Sequence, residues 1–575
     1  MSKTLFWYLF RDLVRIFLLA SGVLAGIMSF GGLLRPLTEN GLNAEQVGKL
    51  LTYLTPAMMA YSLPAAALFA TTVIYGRLAA DNELTACRAA GISYGVIGLP
   101  AVVLGLGVAA LSLLLLCFIV PSFSMRVEKV IYSNLANYVV NRIERTHQIR
   151  ISTGSGHDYT VFADEAKVLP VDPLDPEDQR VQLYGPTVVT YEPAVKGSTL
   201  QVPKDFSTSQ SATVLIHPQG ADPVSDPLQI TIYLVNGAKF PRRFAGDDQI
   251  GFGQAVFGPL ALDNPLREDV KFMDIWKLVS LASDPGPSQR VSLAVSEIRR
   301  RDEEKTFLLE LAADPQHLGV HEMHTAGTPS QTYSIVTDGP PPVLREDELI
   351  FTSAPGKRQV RLTAIDGEQT TLAAQAREAR VRTRADDRAH VMVTTIELYD
   401  LSLSTPEMGL DSGAAAAERV SWMRTIYVPM DRAVLDLQRT ETLRSLNHDP
   451  SLLPLDASFL RREQVVVNNA VRSELHGRAS FAVSCLILVL VGASLGMMFK
   501  SGNFLNAFAV SFVPALLCIT LVVAGQQTAD HVPDIVDPHF LQHNSPLNLG
   551  LALIWSGNVI VAALAIALVA KLSRR

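Results

Sequence analysis

A chain of 575 residues that is 48% apolar, with positive mean hydropathy and a formal net charge of −7, is long enough for several soluble domains. Its mild acidity excludes a broad basic surface for nucleic acid, and four cysteines in such a length exclude a disulfide scaffold. The class is decided by where the apolar residues fall, and they fall in blocks at the two ends.

In chain order, charge-free runs cover 16–34, 50–75, 89–125, 479–499, 501–529 and 544–570. Each is close to or beyond the roughly 20 helical residues that a bilayer core demands. Six membrane spans are predicted, three before and three after a polar middle. The first run is followed by further spans rather than by a mature soluble domain, so it reads as a retained helix and not as a secretory signal. Lys3, Arg11 and Arg15 precede span one, Arg77 and Arg88 lie between spans two and three, Lys500 lies between four and five, and Lys571, Arg574 and Arg575 follow span six. The opposite loops hold Arg35 and Lys49 near the first hairpin, while 526–546 has neither Lys nor Arg and contains Asp530, Asp534 and Asp537. The positive-inside rule therefore puts both termini in the cytoplasm and the middle domain outside. Cys87, Cys117, Cys485 and Cys518 all lie in or beside spans, so the outer domain must rely on an ordinary core.

Between spans two and three lies "GRLAADNELTACRAAGISYG", residues 76–95. Asp81 or Asn82 suits a helix N-cap, Glu83 in the first turn complements the helix dipole, and Gly91 suits the C-terminal cap. This predicts about two turns of helix off the membrane axis. One reading is a well-capped connector. The other is a docking helix, in which the small side chains of Ala79, Ala80, Ala86, Cys87, Ala89 and Ala90 let a partner approach while Glu83 and Arg88 anchor it.

From about Arg126 the pattern changes to short runs rich in Val, Ile, Thr and Tyr, such as "IRISTG", "DYTVFADEAKV", "RVQLYGPTVVTYEP" and "LQITIYLVNG", which read as strands of a sandwich or barrel. "MDIWKLVSLAS" and "SLAVSEIRRRDEEKTFLLELAA" have helical spacing. A second strand set follows in "KRQVRLTAIDGEQTTLAAQAREARVRT" and "HVMVTTIELYDLSLSTP", with "IDGEQ" as a hairpin turn. The order of "FADEAKV" before "VQLYGPTVVTYEP" is echoed by "LAAQAREARV" before "IELYDLSLSTP", which suggests either a duplicated β unit or one long interrupted sheet. "ASFLRREQVVVNNAVRSELHGRAS" leads into span four as an amphipathic helix.

No P-loop, HExxH or GxSxG motif occurs in the chain, so nucleotide hydrolysis by a P-loop is not expected of it. "HLGVHEMH" sets His317, His321 and His324 at a spacing that would align three imidazoles on a helix for zinc. The competing reading is a polar surface loop.

The order "LPAAALFATTVIYGRLAADNELTACRAAGIS", with "YLFRDLVRIFLLA" opening span one and "VVNNAVRSELHGRASFAVSCLILVLVGASLG" entering span four, resembles the permeases of the lipopolysaccharide export ABC transporter, the LptF/LptG type. The resemblance implies an α-helical membrane protein with six transmembrane helices (3+3) and a large inserted periplasmic all-β, jellyroll-like domain. The expected divisions are 1–125 with a cytoplasmic coupling helix at about 77–91, 126–475 for the periplasmic domain, and 476–575. An insertion at about 300–450 is expected to enlarge the middle domain beyond the family's usual size.

The implied activity is that of a permease subunit, with no cofactor, in the inner membrane. It extracts lipopolysaccharide or a related glycolipid and passes it to a periplasmic bridge toward the outer membrane. The implied partners are a cytoplasmic ATPase dimer, a second permease (a paralogue or the same chain) and periplasmic jellyroll proteins. Asp81, Glu83, Leu84, Arg88 and Gly91 fall on the coupling segment. Arg35 occupies the place of a basic residue that contacts substrate phosphates, although an arginine at a helix end also serves as an interfacial anchor. Lys49 is a second candidate, and Phe504, Phe508 and Phe512 share one helix face that would suit acyl chains or ordinary packing. The alternative is an ABC-type mechanotransmission protein acting on a periplasmic partner without transporting lipid.

Overall fold

The computed structural model describes residues 3–40, 44–123, 135–152, 158–170, 178–193, 201–218, 228–241, 250–262, 270–313, 319–326, 330–345, 347–354, 360–366, 369–386, 391–403, 420–429, 454–498, 504–533, 536 and 544–573. In chain order the helices are α1 (Lys3–Asn40), α2 (Ala44–Ala80), α3 (Glu83–Ala89), α4 (Tyr94–Leu114, continued by a π-helical turn Leu115–Ile119), α5 (Leu135–Thr146), α6 (Ile275–Ser283), α7 (Gln289–Ala312), α8 (Pro454–Met498), α9 (Phe504–Ala529) and α10 (Ser545–Ser573). The described residues divide into two compact units, one within Met1–Ser133, Pro265–Ser292 and Leu453–Arg575, the other within Asn134–Asn264 and Leu293–Leu452.

Six helices of the first unit, α1, α2, α4, α8, α9 and α10, are long and apolar enough to cross a membrane. Their shared core includes Leu9, Leu13 and Phe17 of α1, Leu63 and Ala67 of α2, Ile97 and Leu104 of α4, and Cys485 and Val489 of α8. Lipid tails are as apolar as leucine, so close backbone approach between small residues becomes a main source of helix–helix affinity. Two such approaches are present. A Cβ on Gly492 would lie 2.9 Å from the Leu68 carbonyl oxygen, and one on Gly496 would lie 2.9 Å from that of Thr72, so α8 rests on the backbone of α2. Gly525 and Gly550 bring α9 and α10 together in the same way.

The second unit is built on seventeen described strands. The first set is β1 (Gln148–Ser152), β2 (Asp158–Phe162), β3 (Glu165–Val168), β4 (Gln179–Tyr184), β5 (Thr187–Pro193), β6 (Gln201–Pro218), β7 (Leu228–Pro241) and β8 (Ile250–Leu262). The second is β9 (Val320–His324), β10 (Gln331–Thr337), β11 (Val343–Arg345), β12 (Glu348–Thr352), β13 (Val360–Asp366), β14 (Gln369–Ala376), β15 (Glu378–Asp386), β16 (Val391–Leu403) and β17 (Val420–Pro429). Six apolar helices with a sheet-rich insert bear out the expected fold class.

Strands of both sets join in one thirteen-stranded mixed sheet, while β9, β10, β13 and β14 form a second, four-stranded sheet that meets the end of β16 at Leu403 and Ser402. β8 pairs in parallel with β17, Trp422 opposite Gly251, and all other ladders are antiparallel among the described residues. The sequence echo is nevertheless real in register. Glu165 lies opposite Tyr184 and Ala166 opposite Leu183 in β3–β4, just as Glu378 lies opposite Tyr399 and Ala379 opposite Leu398 in β15–β16. Lys167 pairs with Glu165 at 2.8 Å and covers the Tyr184 ring at 5.3 Å; Arg380 pairs with Glu378 at 2.6 Å and covers the Tyr399 ring at 4.7 Å. The backbone N–H of Asp164 donates to Tyr184, and that of Arg377 to Tyr399. The echo is thus a short motif that recurs in register at two places in the thirteen-stranded sheet.

The interior of this unit carries a charge cluster that links the two strand sets. Lys239 of β7 donates to Glu397 of β16 at 2.9 Å and lies 3.6 Å from Asp205 of β6. Glu397 also accepts from the Tyr399 hydroxyl at 2.6 Å and lies 3.5 Å from Arg382 of β15. Lys239 is 5% exposed and Glu397 1%. Burial alone would raise the carboxyl's pKa, but Lys239 and Arg382 outweigh it and hold Glu397 far below the usual carboxylate range.

The histidine spacing is realised on a strand and not on a helix. His321 and His324 lie on β9, one buried with Nδ1 2.7 Å from the Leu311 carbonyl oxygen, the other exposed with Nδ1 3.0 Å from Thr332 Oγ1. Strand residues three apart face opposite sides, so these two imidazoles do not converge. His317 lies outside the described residues.

Candidate functional site

The segment between spans two and three folds as α3, and its two ends differ in how they match the sequence reading. At the N-terminus Asn82 is left-handed, with φ 58°, and its side chain makes no capping bond, so the expected side-chain N-cap is not formed. The αL geometry turns the chain sharply out of α2, where a capping residue would have extended backbone. At the C-terminus the expectation holds. Gly91 has φ +79°, its N–H donates to Arg88 O at 2.9 Å, and the N–H of Ile92 donates to Cys87 O at 3.0 Å. This is the Schellman arrangement, for which glycine is the low-strain residue.

The underside of α3 is apolar and fixed. Leu84 is 4% exposed within the span core, and Cys87 and Ile92 pack against the same cluster. Arg88 lies over the Tyr94 ring at 4.3 Å, which ties α3 to the start of α4. Asp12 of α1 pairs with Arg77 at the end of α2 at 2.6 Å, and the Tyr75 hydroxyl donates to Ile97 O of α4 at 2.9 Å. Asp81, Glu83, Thr85, Ala86, Arg88 and Ala89 are exposed. The segment thus presents a small polar surface, while Leu84 is the peg that holds it to the spans.

Of the other sequence candidates, Phe512 is half-buried on α9. Arg35, Lys49, Phe504 and Phe508 fall within helical segments, but their side chains lie outside the described residues.

A second polar cluster, which the sequence reading passed over, sits on α8 where its apolar run begins. Arg478 donates from Nε to Glu474 at 2.8 Å and from Nη2 to the carbonyls of Val270 and Lys271 at 3.1 and 3.0 Å. Gln526 of α9 donates to Glu474 at 2.9 Å, and Trp555 of α10 donates to His476 at 3.1 Å. The signal was present in "SELHGR", an acid and a base four apart directly ahead of a charge-free run. "GASLG", with its small-xxx-small spacing, likewise marked the α8 face that meets α2.

Six helices long and apolar enough to cross a membrane, with a sheet-rich insert between the third and fourth and a short charged helix between the second and third, are the architecture of a multi-pass membrane protein. The chain belongs to the lipopolysaccharide export system permease family LptF/LptG, whose family model matches residues 7–168 and 367–571, more than half of its length. Members are permease subunits of the inner membrane and not catalytic enzymes. No curated protein matches the chain. The family match stops at the end of β3, within the first copy of the repeated motif, resumes just before β14, ahead of the second copy, and leaves 169–366 outside it.

Proposed function

We propose that this chain is the transmembrane subunit of an ABC-type exporter that draws lipopolysaccharide, or a related glycolipid, from the inner membrane toward the outer membrane. ATP is hydrolysed by a separate cytoplasmic ATPase dimer, and α3 docks in its groove through Glu83, Asp81 and Arg88. The observation that carries this reading is the geometry of α3, an exposed acid–base surface on a helix whose Leu84 is buried in the span core. A push on Glu83 passes through Leu84 to the end of α2, and from α2 to α8 through the backbone contacts at Gly492 and Gly496. The excess of Lys and Arg on the α3 side supports a cytoplasmic position for α3 and a periplasmic one for the β unit.

A second permease, a paralogue or another copy, completes the lipid path. Arg35 and Lys49 are its candidate phosphate contacts, because a cation at the membrane edge is poorly screened from an anionic glycolipid. Phe504, Phe508 and Phe512 recur at i, i+4 and are candidates for the acyl chains. The β unit hands the lipid to periplasmic jellyroll proteins.

The deciding experiment is purification with the ATPase. Glu83→Lys is expected to lower ATPase recovery at least about tenfold, the factor carried by ~1.4 kcal/mol of binding free energy, and to deplete outer-membrane glycolipid. Unchanged recovery together with unchanged glycolipid would show that α3 is a connector only.

A further inference from the structure

The segment 270–290 runs back along α8 and is held at both ends. Arg478 grips the Val270 and Lys271 carbonyls, and Arg290 pairs with Glu463. Those two points on α8 are about 22 Å apart at 1.5 Å per residue. Arg478 immediately precedes the charge-free stretch 479–498 of α8, whose length matches a hydrocarbon core of about 30 Å. The first clamp therefore marks the level at which α8 passes into the bilayer. Trp555, bonded to His476 two residues before Arg478, puts an indole at that same level.

α6 starts just past this clamp. Asp274 caps it by accepting from the Lys277 N–H at 2.7 Å, Phe272 packs on the span core, and Leu278 and Leu281 are buried. Its opposite face is apolar and uncovered, with Trp276 74% exposed and Val279 52% exposed, flanked by exposed Lys277. An indole with this exposure would be costly in water. At a bilayer surface its apolar ring and N–H suit the headgroup layer, which extends several ångströms beyond the hydrocarbon.

We propose that Trp276 and Val279 form a membrane-interface anchor: the exposed face of α6 is seated in the lipid headgroup layer where α8 enters the bilayer, with Lys277 directed to lipid phosphates. The anchor holds the connector 270–290 at the surface, so α8 and the connector keep their register when the spans move. The proposal rests on α8 crossing a membrane and not on the cargo or the coupling proposed above.

The test uses the full chain in vesicles of phosphatidylethanolamine and phosphatidylglycerol, with part of the lipid brominated on the upper acyl chain. Trp276→Phe is expected to remove roughly a third of the lipid-quenched emission, its share among the three tryptophans outside the β unit, Trp7, Trp276 and Trp555. Val279→Trp in that background restores the quenching, because it moves the indole along the same face. If the emission lost in Trp276→Phe is quenched by aqueous acrylamide and not by brominated lipid, the face is in water and the proposal fails. If that emission is shielded from both quenchers, another protein covers the face and the proposal fails equally.

Discussion

Lys239 is the cation on which the buried carboxylates of the β unit depend. Its removal in Lys239→Met leaves Glu397, 1% exposed, beside Arg382 alone, and strips Asp205 of its buried cation. Breaking a buried pair by deleting one partner costs about 3–5 kcal/mol, because the remaining charge keeps its desolvation penalty. We predict a loss of this size in urea unfolding of the full chain in detergent, followed by β-sheet circular dichroism. The pH dependence has a definite sign. Glu397 has its pKa depressed by folding, so its stabilisation is complete above the unfolded value of about 4.3 and is lost as pH falls through the lower folded value. In the wild type this contribution is therefore expected to decline progressively as pH falls below about 4.3, whereas in Lys239→Met, where the folded value moves up toward the unfolded one, the acid-induced loss from Glu397 is expected to be smaller.

At the scale of elements, the contact of α8 on α2 depends on the absence of side chains. A Cβ at Gly492 meets Thr71 Oγ1 and the Leu68 carbonyl, and one at Gly496 meets the Thr72 carbonyl and the Gly76 nitrogen. Backbone cannot move aside as a rotamer can, so Gly492→Leu and Gly496→Leu must separate the helices. Overpacking of this kind costs about 1–3 kcal/mol, and Gly492→Ala is expected to cost less. The melting temperature of the purified protein checks the stability. If α2 carries the stroke from α3, Gly496→Leu also reduces glycolipid export while ATPase recovery stays normal, and that split separates transmission from docking.

At the scale of the whole molecule, the strand sets on either side of α6 and α7 are joined by the β8–β17 ladder and by the Lys239–Glu397 bond, whose partners are 158 residues apart. Such cross-links predict that the β unit unfolds as one cooperative body. Calorimetry of the wild-type protein is expected to show a single transition for it, and Lys239→Met a transition broadened or split in two. Two independent transitions in the wild type would mean that the parallel ladder does not couple the sets. The Glu-Ala and Leu-Tyr register recurs in β3–β4 and β15–β16, and the part of the unit outside the family match, 169–366, lies between β3 and β14.

Much of this was legible in the sequence because the signals are local. Apolar runs of bilayer length gave six spans, alternation gave strands, and Gly91 gave the end of α3, since each depends on residues within a turn or two of one another. Where local signals competed with packing, packing prevailed. Asn82 gave up its capping bond to let the chain leave α2, and the histidine spacing that suits a helix was drawn into β9 by its pairing with β10. The sequence by itself determined the membrane class, the family and the position of the short helix between spans two and three. Only the tertiary structure decided that the two strand sets are joined through β8 and β17 and by a buried Lys239–Glu397 pair, that Leu84 faces inward beneath Glu83, and that Arg478 clamps the connector. Those contacts join positions too far apart in the chain for any periodicity to relate them, and only the folded core brings them together.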